Sequence, residues 1–184
     1  FTPASYKEGV QSQLDDQPGF TIASWQQRPE SLGFVKIRSN NPFESPVIQP
    51  NYLEAEEDRK VLIAGMRLAR RLMRTKPLAP YFEFEQYPGD HIQTDDELLQ
   101  IARERGTTTF HVMGSCRMGP SSDATSVVDE KLRVRGIDNL RVVDASIMPT
   151  MLSANLNAGA MMIGEKGADM ILDKPALEPI IISD

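Results

Sequence analysis

Apolar residues in the second quarter of the chain recur at helical spacing. Leu62, Met66, Ala69 and Met73 fall on one stripe, and that stripe predicts a helix from about Glu54 to Lys76. Glu54, Glu56, Glu57 and Asp58 occupy its first turns; Arg70, Arg71, Arg74 and Lys76 occupy its last. Both ends therefore complement the helix dipole, and Pro77 stops the helix. The basic run from Arg67 to Lys76 is expected to be its solvated face. Thr94-Asp95-Asp96-Glu97 announces a second helix. It is a capping box, in which the threonine hydroxyl and the glutamate satisfy each other's orphan amides. That helix ends at Gly106. A third runs from near Asn157 to about Asp173, ahead of Pro175.

Shorter β-prone runs lie between the helices. Residues 20–25 and 33–38 read as two strands joined by the loop Arg28-Pro29-Glu30-Ser31-Leu32-Gly33. Residues 81–86 alternate aromatic and polar positions, as a half-buried strand does. Strand character returns at 107–113, 126–135 and 140–144, the last two split by Gly136-Ile137-Asp138-Asn139. Residues 40–50 hold two asparagines and three prolines and read as a connection. Residues 1–19 read as an irregular lead-in and the final residues as a loose tail. No internal repeat is visible.

The 184 residues suffice for a domain with a real core. Hydrophobic content of 40% and charged content of 25% are those of an ordinary globular protein. A formal charge of −6 leaves no basic excess to neutralise phosphates, which argues against a nucleic-acid partner. No apolar run reaches transmembrane length. With one cysteine, Cys116, no disulfide can form within the chain. A cytoplasmic location is expected, with peripheral membrane association left open. The polar start has no apolar centre and no initiator methionine, and reads as the inside of a longer protein.

Candidate chemistry is concentrated in three stretches. His111 sits in FHVMGSCRMG, where Gly114, Ser115 and Gly119 let the backbone turn tightly. An imidazole leaving a strand at such a turn is placed to face a cavity; a partly buried structural histidine is the competing reading. His91, beside Asp90 in a Pro-Gly loop, reads as a surface residue. Cys116 lacks an activating partner nearby in sequence and reads as a small buried hydrophobe. No paired Cys or His spacing exists, so no metal site is expected. In LRVVDASIMPT, Asp144 ends an apolar strand before a turn, a favoured location for ligand contact, or else it only forms the turn. In SANLNAGAMMIGEKGADMI, Ser153, Asn155 and Asn157 precede or open the third helix. One of them is expected to cap it, and the helix start can also face an anionic group.

Taken in order, these segments resemble the GMC (glucose–methanol–choline) oxidoreductases. The stretches are HVMGSCRMG, then VVDEKLRVRGIDNLRVVDASIMPT, then SANLNAGAMMIGEKGADMI, with RPESLGFVKIRSNNPFESPVIQPNYL upstream. The likeness covers residues 19–172, and its Asn-Leu-Asn-Ala segment is nearest the choline dehydrogenase and bacterial alcohol dehydrogenase branch. Leu32 stands where the family usually has a basic residue. No G-x-G-x-x-G fingerprint occurs, although the family uses one to hold the ADP part of FAD.

The resemblance implies an α+β chain. Residues 1–135 would form a substrate-binding domain, a mostly antiparallel sheet backed by helices. Residues 136–172 would be a strand–helix segment returning to the FAD-binding domain, and 173–184 a tail. It implies an FAD-dependent oxidoreductase acting on a small alcohol, with His111 as proton acceptor and Asn155 as its hydrogen-bonding companion. Asp144, Ala145, Asn157 and Ala158 would contact the flavin. FAD is expected in the complete enzyme, with the N-terminal FAD-binding half as partner, and not on this chain alone. A non-oxidative lyase of the same fold and a catalytically silent domain are the alternatives.

Overall fold

The computed structural model describes residues 1–7, 13–175, 177, 178 and 180. The chain is α+β, with three helices and a two-stranded antiparallel sheet among the described residues. It divides into two compact units, Phe1–Thr108 and Thr109–Asp184. Half of the expected tail at 173–184 lies outside the described residues.

In the first unit, β1 (Phe34–Lys36) pairs with β2 (Val47–Gln49), with Val35 opposite Ile48. The expected strand at 33–38 is therefore present but shorter, and its partner is not 20–25. That stretch contributes only an isolated bridge, Thr2 to Thr21. The partner comes from the segment read as a connection. Pro46 and Pro50 bracket Val47-Ile48-Gln49 without entering it, so the three residues that pair keep their backbone donors.

Helix α1 (Glu56–Met73) carries the expected stripe inward: Met73 is buried, and Leu62, Met66 and Ala69 are half-buried. It stops short of Pro77. Asp58 does more than complement the dipole. It is 2% exposed and accepts hydrogen bonds from Glu30 N at 2.9 Å, Ser31 N at 2.9 Å and Ser31 Oγ at 2.5 Å. The carboxylate thus anchors the loop that leads into β1. Burial opposes its charge, but these donors outweigh burial and hold its carboxyl below the usual range.

Helix α2 (Asp95–Arg105) begins at the expected capping box. Thr94 Oγ1 accepts from Glu97 N at 3.2 Å, and Glu97 Oε2 accepts from Thr94 N at 2.9 Å. It ends at Gly106 and buries Leu98 completely. The expected solvated face of α1 holds for Arg67, Arg71, Arg74 and Lys76, which are exposed, and is corrected for Arg70, whose side chain is 11% exposed. Arg67 donates to Gln93 O at 2.9 Å, and Arg74 pairs with Asp90 at 2.5 Å. Arg70 binds the Glu85 carboxylate at 2.8–3.0 Å and the carbonyls of Ile92 at 2.7 Å and Gly89 at 3.1 Å. The three arginines recur every three or four residues, so they share one side of α1 and clasp the loop 85–95. The expected strand at 81–86 is absent; only a 3-10 turn, Ala79–Tyr81, precedes this loop.

The second unit packs around Val128, Leu132, Ile147, Met148, Leu156 and Ile163. The expected strands at 107–113, 126–135 and 140–144 appear as irregular chain with isolated bridges, Val128 to Val134 and Arg133 to Arg141 among them. Val128 and Leu132 are buried, and Val127, Val134, Val142 and Val143 half-buried, by packing into this core rather than by a continuous ladder. Helix α3 (Asn157–Ile171) lies close to the chain before it: a methyl at Gly167 would meet Val143 Cγ1 at 2.3 Å.

Candidate functional site

Residues 116–119 run between two other backbone segments. Cys116 N donates to Ser146 O at 2.9 Å and Met118 N to Ile147 O at 2.7 Å. On the other edge Val127 N donates to Arg117 O at 2.9 Å and Gly119 N to Val128 O at 3.2 Å. The passage that starts at His111 is therefore stitched to the turn that follows Asp144. Gly114 makes the bend at a φ of +83°, a conformation L side chains rarely adopt. The Met148 carbonyl lies 3.4 Å from where a Cβ would stand.

His111 is half-buried, and Met113 beside it packs against the core. Phe110 and Val112 face outward, 77% and 73% exposed. The alternation puts His111 on the core side of its segment, although no strand forms there. Asp144 is exposed, and its Oδ1 accepts from Ser146 N at 2.8 Å to cap the 3-10 turn Ala145–Ile147. The turn-forming role of Asp144 is thus present, and Ala145 packs against the core.

Asn155, Asn157 and Ala158 are all exposed, while Leu156 between the asparagines is buried. The start of α3 departs from expectation. Its N-cap is Leu156, whose side chain cannot cap it. Burying Leu156 turns the flanking asparagines outward, and the Asn157 amide lies 3.7 Å from Met161 Sδ. A methyl on Gly159 would meet Leu152 Cδ1 at 2.8 Å and Met148 Cε at 3.0 Å, so this helix start sits tight against the chain that follows Ala145.

The structure thus brings the segments bearing His111, Asp144–Ala145 and Asn155–Ala158 onto one core through Met113, Ala145, Met148 and Leu156. The start of α3, with the small Ala158 in its first turn, suits the close approach of a partly anionic group. No glycine-rich pyrophosphate loop accompanies them. Among the described residues no cluster of three His, Cys, Asp or Glu is placed to hold a metal. No described helix is long and apolar enough to cross a membrane.

Sequence reasoning missed the supports behind this site. Arg135 donates to Ser126 Oγ at 2.9 Å and Gly119 O at 2.6 Å, closing the loop after His111. Asp123 accepts from Thr125 Oγ1 at 2.6 Å and Thr125 N at 2.9 Å and pairs with Arg117 at 2.5 Å. These bonds, Thr125's first, pull its carboxyl down to about 2. The Ser-Ser-Asp-Ala-Thr run at 121–125 carries the signal for this Asx turn; nothing local marks Arg135.

Comparison with known proteins gives a consistent result. The family model described as GMC oxidoreductase matches residues 29–164. The chain is 45% identical over 161 residues to the mitochondrial choline dehydrogenase of Homo sapiens, covering 88% of this chain and 27% of that protein. It is 42% identical over 156 residues to an alcohol dehydrogenase [acceptor] of Pseudomonas putida, covering 85% of this chain and 28% of that protein. A solved FAD-dependent oxidoreductase from Chaetomium thermophilum superposes with a TM-score of 0.68 at 30% identity, over 77% of this chain and 24% of that one. The chain therefore spans about a quarter of the length of these relatives.

Proposed function

The chain belongs to the GMC oxidoreductase family, and from that premise we propose that it is the catalytic, carboxyl-terminal part of an FAD-dependent enzyme that oxidises an alcohol to an aldehyde or ketone. The observation that carries this reading is the common core under the segments of His111, Asp144 and Asn155. Residues 1–135 serve the substrate side and 136–172 the flavin side. The remaining nucleotide-binding part of the same polypeptide is the partner. The free Cys116 accords with a reducing, cytoplasmic setting.

Bound FAD supplies the acceptor for the hydride leaving the alcohol carbon. The residues of this chain do the rest. His111, in its neutral form, takes the hydroxyl proton. Asn155 donates an amide N–H to the oxygen as it gains charge, and cannot itself take the proton. Asn157 and Ala158, at the start of α3, would hold the flavin, where the positive helix end favours negative charge. Asp144 and Ala145 would hold it from the neighbouring turn.

The test is anaerobic mixing of the complete enzyme with an alcohol, followed by the loss of flavin absorbance. Asn155→Ala should slow this by about 1.5–3 kcal/mol, the worth of one hydrogen bond to a charged group, or roughly one to two orders of magnitude in rate. FAD content should stay unchanged. Reduction at the wild-type rate would remove Asn155 from the reaction.

A further inference from the structure

Among the described residues, Leu53, Phe110 and Leu132 take the left-handed backbone conformation, at φ values of +62°, +60° and +64°. Asn51, Asn139 and Asp173 do so too, but those residue types tolerate it. For a bulky side chain the conformation is an outlier that persists only where the surroundings enforce it. Packing enforces it at Leu132, which is 4% exposed, and Leu53 is half-buried. Phe110 differs. Its ring is 77% exposed, so burial of the side chain does not hold its backbone in place.

The next residue is His111. It is half-buried, and Met113 beyond it packs against the core. Gly114 is left-handed as well, at a φ of +83°. From Cys116 onward the backbone is bonded to the turn at 145–147, starting with Cys116 N to Ser146 O at 2.9 Å. His111, Val112 and Met113 therefore run between two left-handed residues, with their far end fixed. A return of Phe110 to an ordinary negative φ has to be absorbed by the neighbouring backbone, and His111 is first in line. We infer that Phe110 is a positioning residue: its left-handed backbone, rather than its ring, sets the direction in which the His111 imidazole leaves the chain. The consequence for the reaction rests on the proposed function; the geometry does not.

Substitutions that separate backbone from ring test this in the complete holoenzyme. Phe110→Gly and Phe110→Asn remove the ring but accept the left-handed conformation. Phe110→Val keeps an apolar side chain but resists that conformation, and Phe110→Pro forbids it. Flavin reduction by alcohol should fall roughly tenfold or more in the valine and proline variants, as for a displaced reacting group. It should stay near the wild-type rate in the glycine and asparagine variants. A second readout does without turnover. Diethyl pyrocarbonate acylates neutral imidazole, and its rate at His111 is followed by mass spectrometry. That rate should match wild type in the glycine and asparagine variants and differ several-fold in the other two. Should proline prevent folding, seen as loss of bound FAD, the remaining three variants decide. Glycine and asparagine variants as slow as the valine variant would overturn the inference and give the role to the ring. So would wild-type labelling of His111 in the folded valine variant. Altered labelling with unchanged flavin reduction would uphold the backbone role and reject His111 as the proton acceptor.

Discussion

His111→Ala in the complete enzyme should slow reduction of the flavin by alcohol by about a hundredfold or more, the scale for loss of a positioned proton acceptor. Proton removal from the hydroxyl has to accompany departure of the hydride, and alanine offers no acceptor. FAD content should be unchanged, because the flavin contacts are assigned to Asp144, Ala145, Asn157 and Ala158. Anaerobic stopped-flow measurement of flavin reduction decides it. Reduction at the wild-type rate would make His111 a structural histidine.

Arg70→Ala should lower stability by about 3–5 kcal/mol, the cost of breaking a buried ion pair from one side. The side chains of Arg70 and Glu85 are 11% and 12% exposed, so water cannot replace the lost guanidinium freely. The carbonyls of Gly89 and Ile92 lose a donor at the same time. Replacing both partners, as Arg70→Met with Glu85→Leu, should recover part of the loss, because no charge is then stranded. Urea unfolding of the complete enzyme measures both. A loss under about 1 kcal/mol, the figure for an exposed pair, would show that the loop 85–95 does not depend on this clasp.

Which features could be read from sequence follows from the range of the interactions behind them. The presence of α1, α2 and α3, and the ends of α2 with its Thr94–Glu97 box, depend on residues a few positions apart, and sequence displays those directly. The pairing of β1 with Val47–Gln49 depends on a contact across an intervening loop, and the prolines around β2 masked it. The valine-rich stretches at 126–135 and 140–144 look like strands because burial selects the same residues whether or not a ladder forms. Arg70 and Asp58 looked like helix-end charges, since their partners lie 15 and 27 or 28 residues away. The site divides in the same way. The three segments were visible as motifs. The buried Leu156 that turns Asn155 and Asn157 outward, and the Arg135 clasp behind Gly119, depend on tertiary packing.

The central claim is that His111 and Asn155 act on one substrate oxygen. The direct measurement is a crystal structure of the complete enzyme with FAD and an unreactive alcohol analogue. An imidazole nitrogen of His111 and the side-chain amide of Asn155 should both lie about 3 Å from the analogue's oxygen, within hydrogen-bond reach. Side chains standing more than roughly 8 Å apart, too far for both to touch one oxygen at such distances, would contradict it.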